Sequence, residues 1–350
     1  MLSGRYSKYD SDYRQSGLQI KEIVMSYSVE QIEGYAIKRR EQPIVKKSRY
    51  EFTKVGIVGC GILGHEISRM VSSHGMDVTF IEISEEKIEQ ALSGISNDLD
   101  GMIEKWGMTV SDKRAIMSRI TGSMNFDDLE GSDIVIESVK SRSRESSVEL
   151  RKKIFREVEQ NIATDAIIAT NSTTLVITEM SSGLEYPERC VSLHFLSPAD
   201  KIPIVEIARG LHTSDDTYEK VCQFARIFEK KVVPVIESPG IISTRLIAPL
   251  INEACEILME GVGNLEDIDA TMKMGFGFPL GPFEVADKIG LDTIVRWLDN
   301  LYKEFGDLKY KASPLLKKMV RANLLGRETK KGFYKYNDEG KKIVEASNKN

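Results

Sequence analysis

Two hydrophobic rhythms alternate along the chain as far as residue 238, and only one continues beyond it. Short apolar runs at 54–58, 78–81, 134–137, 166–170, 191–195, 204–207 and 232–236 are bounded by polar residues and are too short for buried helices. They predict strands. Between them, apolar residues recur at three- and four-residue steps: Ile67, Met70 and Val71 after Gly64, then 87–106, 145–161 and 215–229. These predict helices, with 107–118 left as a polar segment and the charges of 145–161 assigned to a solvated helix face. Strands alternating with helices of this length predict a mostly parallel, doubly wound α/β sheet. After Ser238-Pro239-Gly240 the strand-like runs stop. Helices are expected at 243–260 (with Pro249 bending it), from 265 behind an Asn264 cap, and at 282–289, 291–305 and 313–322. The division is a polar extension at 1–50, an α/β domain at 51–238, an all-helical domain at 239–336 and a charged tail at 337–350.

The first strand leads into Gly59-Cys60-Gly61-Ile62-Leu63-Gly64, three glycines spaced G-x-G-x-x-G ahead of a helix. The second strand ends at Glu82, about twenty residues on, as a dinucleotide site requires. Gly59 permits the tight turn, Gly61 admits a pyrophosphate against the backbone, and Gly64 lets helix and strand approach. The amides of Ile62, Leu63 and Gly64 at the helix start favour anionic phosphates. Glu82 can accept from both ribose hydroxyls and would repel a 2′-phosphate, so NAD is expected rather than NADP. The first domain is therefore expected to be Rossmann-like.

Composition narrows the function classes. With 350 residues, 41% of them hydrophobic, and a net charge of −5, the chain reads as an ordinary globular protein and not as a nucleic-acid binder. Its longest apolar run falls short of the roughly twenty residues that span a bilayer. The first thirty residues lack a secretory h-region, and Asp10, Asp12, Glu22 and Glu30 speak against a mitochondrial presequence. Cys60, Cys190, Cys222 and Cys255 are scattered through apolar runs, which suits reduced thiols in the cytoplasm. No spacing suits a metal. Gly275, Gly277 and Gly281 read as turns at helix ends.

In open α/β sheets, ligands lie beyond the carboxyl ends of the strands. Three such ends carry Asn171-Ser172-Thr173-Thr174, His194 and Glu206. A histidine paired with a carboxylate is a common general base, because the acid fixes the tautomer and stabilises the imidazolium. A core histidine beside an unrelated surface glutamate would look the same in sequence.

Across residues 52–336 the chain resembles the L-3-hydroxyacyl-CoA dehydrogenase family (3-hydroxybutyryl-CoA dehydrogenase-like). The likeness rests on Gly59–Gly64 as quoted, on Thr170-Asn171-Ser172-Thr173-Thr174-Leu175, and on His194-Phe195-Leu196-Ser197-Pro198 with Val205-Glu206-Ile207. It continues in Pro239-Gly240-Ile241-Ile242-Ser243-Thr244-Arg245, in Gly281-Pro282-Phe283-Glu284 with Gly290-Leu291-Asp292, and in Gly332-Phe333-Tyr334. The resemblance implies an NAD-binding domain, a helical domain that builds a homodimer, and an acyl-CoA thioester in the cleft. It implies His194 as the base for the 3-hydroxyl, oriented by Glu206, with Thr173, where the family has serine, bonding the substrate oxygen. Ser197 and Thr244 stand where the family has asparagines that position substrate and nicotinamide, so a changed substrate or a weaker catalyst is expected. Ser141 stands near a position where the family has an acid, and Arg327-Glu328-Thr329-Lys330-Lys331 alters a basic-glycine pattern. Alternatives are a dehydrogenase of a free 3-hydroxy acid and a non-catalytic NAD-binding homologue.

Overall fold

The structure, a computed structural model, describes residues 51–105, 107–140, 144–337 and 340–343. The extension at 1–50, Ser141 and the end of the tail lie outside the described residues. Eight strands form one sheet: β1 (Lys54–Val58), β2 (Asp77–Ile81), β3 (Ile120–Ser123), β4 (Ile134–Glu137), β5 (Ile167–Thr170), β6 (Cys190–Phe195), β7 (Ile204–Arg209) and β8 (Lys231–Ile236). Their order is β3-β2-β1-β4-β5-β6-β7-β8, and every neighbouring pair is parallel except β6 and β7. The order reverses between β1 and β4, which opens a crevice beyond the carboxyl ends.

The central strands β1, β4 and β5 read as nearly continuous apolar runs because both faces are covered. Val55, Ile57, Ile134, Ile136, Ile167 and Ala169 point into one core, with α1 (Ile62–Ser73), α2 (Glu85–Glu104) and α6 (Asp215–Ile227) packed against it. Their neighbours Val58, Val135 and Ile168 point into the other, against α4 (Arg144–Asn161) and α5 (Ile177–Ser181). The outermost strand, β8, contains Pro234, which an edge tolerates.

Two expectations change. The segment at 107–118 is not merely polar: Thr109 and Asp112 form a capping box that starts α3 (Val110–Met117), and β3 follows it. The helix was hidden because Ile116 is its one buried residue, and Ile-Thr-Gly-Ser is too short and polar to carry a strand rhythm. Among the charges of the 145–161 helix, Arg151 departs from the expected solvated face, because it is buried.

The second domain is helical: α7 (Ser243–Met259), α8 (Leu265–Ala270), α9 (Pro282–Ile289), α10 (Leu291–Phe305) and α11 (Pro314–Arg321). Ile251, Cys255, Phe283, Ile294, Leu298 and Leu316 form its core. Asn264 caps α8 by accepting from the Asp267 amide at 2.8 Å. The Gly332-Phe333-Tyr334 stretch is fixed by buried Asp287, which accepts from the amides of Phe333 at 2.9 Å and Tyr334 at 2.8 Å and from the Tyr336 hydroxyl at 3.0 Å. No helix among the described residues is long and apolar enough to cross a membrane.

Candidate active site at the cleft between the domains

The glycine turn is shaped for close contacts. Gly59 has φ +89°, and a Cβ there would lie 2.9 Å from Val139. A Cβ on Gly64 would fall 2.4 Å from the Gly59 carbonyl, so α1 can begin this near β1 only without a side chain. Beyond Gly61 there is open space, with nothing within 4 Å of where a Cβ would point. Gly61 is the N-cap of α1 and supplies no side-chain acceptor, so the first amides, of Ile62, Leu63 and Gly64, face an open position. Glu82, one residue past β2, accepts from the Cys60 amide at 2.7 Å and from the Ile83 amide at 3.2 Å. An uncapped helix start, an empty space over Gly61 and a carboxylate at the end of β2 together fit NAD. Cys60 lies in this turn but is inert, because burial pushes its thiol up to about 12.

One wall of the cleft is held by a group the sequence analysis passed over. Glu137, at the end of β4, accepts from the Val139 amide at 2.7 Å, from Arg151 Nε at 2.9 Å and from the Thr170 hydroxyl at 2.7 Å. Arg151 also donates to the Val139 carbonyl. This buried pair pins the turn that lies against Gly59. From the next residue, Lys140 reaches Asp292 at 3.0 Å and Glu328 at 3.3 Å in the helical domain.

The antiparallel pairing of β6 and β7 sets His194 directly opposite Glu206. Their side chains meet, with His194 Nδ1 and Glu206 Oε2 2.9 Å apart and both residues buried. With the carboxylate accepting, Nδ1 carries the proton and Nε2 is left with a lone pair. Glu206 is gripped from the other side by Ser243, whose amide donates to Oε1 at 3.0 Å and whose hydroxyl donates to Oε2 at 2.6 Å. Burial works against charge on Glu206, but the bonds from His194 and Ser243 outweigh it and hold its carboxyl below the ordinary value. Ser243 was not anticipated. Its role appears only when the fold brings the start of α7 to β7.

The remaining expected residues follow β5, follow β6 and open α7. Thr173, just past β5, has a buried hydroxyl with no hydrogen-bond partner among the described residues, while its carbonyl accepts from the Gly240 amide at 2.7 Å. It lines a small cavity with Ser172, Ser192 and Glu237. Asn171 braces the dyad strand by accepting from the Phe195 amide at 2.8 Å. Ser197 donates to Glu66 Oε1 at 2.9 Å, and Glu66 Oε2 accepts from the Ala199 amide at 3.0 Å, so α1 holds the loop that follows His194. Burial raises the Glu66 carboxyl above its usual range despite these bonds. Thr244 is only 1% exposed, beside Ser243 in the first turn of α7.

Residues 54–238 match the model of the 3-hydroxyacyl-CoA dehydrogenase NAD-binding domain, and residues 240–336 match that of the C-terminal domain. A 3-hydroxybutyryl-CoA dehydrogenase of Clostridioides difficile is 36% identical over 284 residues, covering 81% of this chain and 99% of its own. The (S)-3-hydroxybutyryl-CoA dehydrogenase of Ralstonia eutropha superposes with a TM-score of 0.73 at 35% identity, over 82% of this chain and 100% of its own. FadB2 of M. tuberculosis superposes with a TM-score of 0.78 at 28% identity, over 82% and 100% of the two chains. The two matched domains and the relatives named above lead to one conclusion: the chain belongs to the 3-hydroxyacyl-CoA dehydrogenase family, and it is an NAD-dependent oxidoreductase.

Proposed function

We propose that this chain interconverts a 3-hydroxyacyl-CoA and its 3-oxoacyl-CoA with His194 as the general base. The observation that carries the proposal is the 2.9 Å contact between His194 Nδ1 and Glu206, which leaves Nε2 free to accept a proton. NAD, when bound, supplies the hydride acceptor. His194 Nε2 takes the proton of the 3-hydroxyl as the hydride leaves C3, so that carbon becomes a ketone carbon. Glu206 stabilises the imidazolium that results. The Thr173 hydroxyl, which has no partner among the described residues, is assigned to the substrate oxygen. Ser197 and Thr244 are assigned to the substrate side of the cleft, Ser197 acting from a loop already tied to Glu66. Gly59, Gly61, Ile62, Leu63 and Gly64 cradle the pyrophosphate, and Glu82 holds the adenosine ribose.

The test is turnover of 3-hydroxybutyryl-CoA with NAD by the unmodified protein and by His194→Ala. The variant should lose about 10²–10⁴-fold in kcat while still binding NAD. Unchanged kcat would remove His194 from the chemistry. Turnover of free 3-hydroxy acids alone would make this a dehydrogenase of those acids, and NAD binding without any turnover would make it a binding homologue.

We also propose that the helical domain pairs two copies of this chain. Met274 and Phe276 are 86% and 71% exposed, and Leu246, Met259 and Val262 are exposed on the same domain. Apolar surface of this kind marks association. Light scattering of Phe276→Glu against the unmodified protein tests it, the variant being expected to run as a monomer. Four free, buried cysteines suit a reducing cytoplasm.

A further inference from the structure

Glu206 Oε2 serves two donors at once, the His194 ring at 2.9 Å and the Ser243 hydroxyl at 2.6 Å. The second is the shorter contact and lies in the range of charge-assisted O–H···O bonds. Ser243 is also the first residue of the 17-residue helix α7, whose N-cap, Ile242, contributes no side-chain hydrogen bond. The Ser243 amide bonds the other carboxylate oxygen, so Glu206 closes the positive end of a helix that belongs to the second domain.

We infer that Ser243 is a positioning residue of the His194–Glu206 pair, which draws charge from the carboxylate oxygen facing the imidazole and so makes docking of the helical domain set the strength of the base. This inference rests on His194 being the base. A carboxylate oxygen that also accepts from a hydroxyl carries less negative charge toward its other partner, and the imidazolium is then favoured less. Among the described residues, the groups that face the Glu206 carboxylate are His194 from β6 and Ser243 from α7, and β8 sets uncharged Val233 opposite its backbone.

The experiment compares the unmodified protein with Ser243→Ala and Ser243→Thr by two readouts. The first is the pH dependence of kcat/KM for 3-hydroxybutyryl-CoA oxidation. The second is the NMR titration of the His194 ring proton in protein without substrate, assigned by its disappearance in His194→Gln. In Ser243→Ala both midpoints should rise by about half to one pH unit, and Ser243→Thr should restore them. A midpoint in Ser243→Ala that matches the unmodified protein in the NMR titration overturns the inference, whether or not the enzyme turns over. If instead His194→Gln keeps full activity, the base assignment fails, and the NMR titration still decides the role of Ser243. A helix that merely lost a packing contact would lower stability without moving either midpoint.

Discussion

Glu82 Oε1 accepts the Cys60 amide at 2.7 Å, so the carboxylate that ends β2 is bonded to the glycine turn before a ribose reaches it. Its second oxygen takes the Ile83 amide at 3.2 Å, which fixes the orientation of the group. Replacing Glu82 by Ala should lower kcat/KM with NAD by about ten- to a hundredfold, the worth of bonds to a charged group, and should narrow the preference over NADP. Rates with both cofactors decide it. Equal use of NAD and NADP by the unmodified protein would refute the role given to this carboxylate.

Gly64 offers a steric test that leaves charge untouched. A methyl there must displace the Gly59 carbonyl, which lies 2.4 Å from the Cβ position. We expect Gly64→Ala to cost about 1–3 kcal/mol of overpacking, felt as weaker NAD binding in a fluorescence titration. Gly61→Ala, which meets nothing within 4 Å in the free protein, should fold normally and lose affinity only because its methyl occupies the phosphate position.

The buried ion pair behind the cofactor turn should behave asymmetrically. Arg151→Leu strands Glu137 as an unpaired anion that is 1% exposed, and should destabilise the protein by about 3–5 kcal/mol in urea unfolding. Adding Glu137→Gln should recover much of that loss. Should the double variant be the less stable, the pair is not the brace described.

Asp287 links pH to the stability of the helical domain. Burial raises its carboxyl above the usual range, and the bonds from Tyr334, Phe333 and Tyr336 only partly offset this. Its folded value therefore exceeds the unfolded one. The stabilising contribution is complete below the ordinary aspartate value of about 4 and is lost as pH rises through the raised value. In Asp287→Asn an amide would face the donors of Phe333, Tyr334 and Tyr336, which costs about 1–3 kcal/mol. That deficit should widen as pH is lowered through the raised value toward about 4. A deficit constant with pH would exclude the assigned shift.

What could be read from sequence follows from burial. A strand covered on both faces writes itself as an apolar run, so β1, β4 and β5 were legible, and the glycine turn announced its own geometry. β3 was not, because backbone pairing with β2 forms it and only Ile120 is buried. Of the site, His194 and Glu206 stood out as polar residues in apolar strands. Ser243 and Arg151 did not. One begins a helix 37 residues from its partner and the other sits among many charges, so neither carries a local signal.

Helix α1 offers its open amides at one end and, from Glu66 in the following turn, grips Ser197 and Ala199. A stiff rod cannot be seated at its tip without its flank being seated too. One rigid element thus fixes the spacing between the open amides at its start and the loop that follows the imidazole.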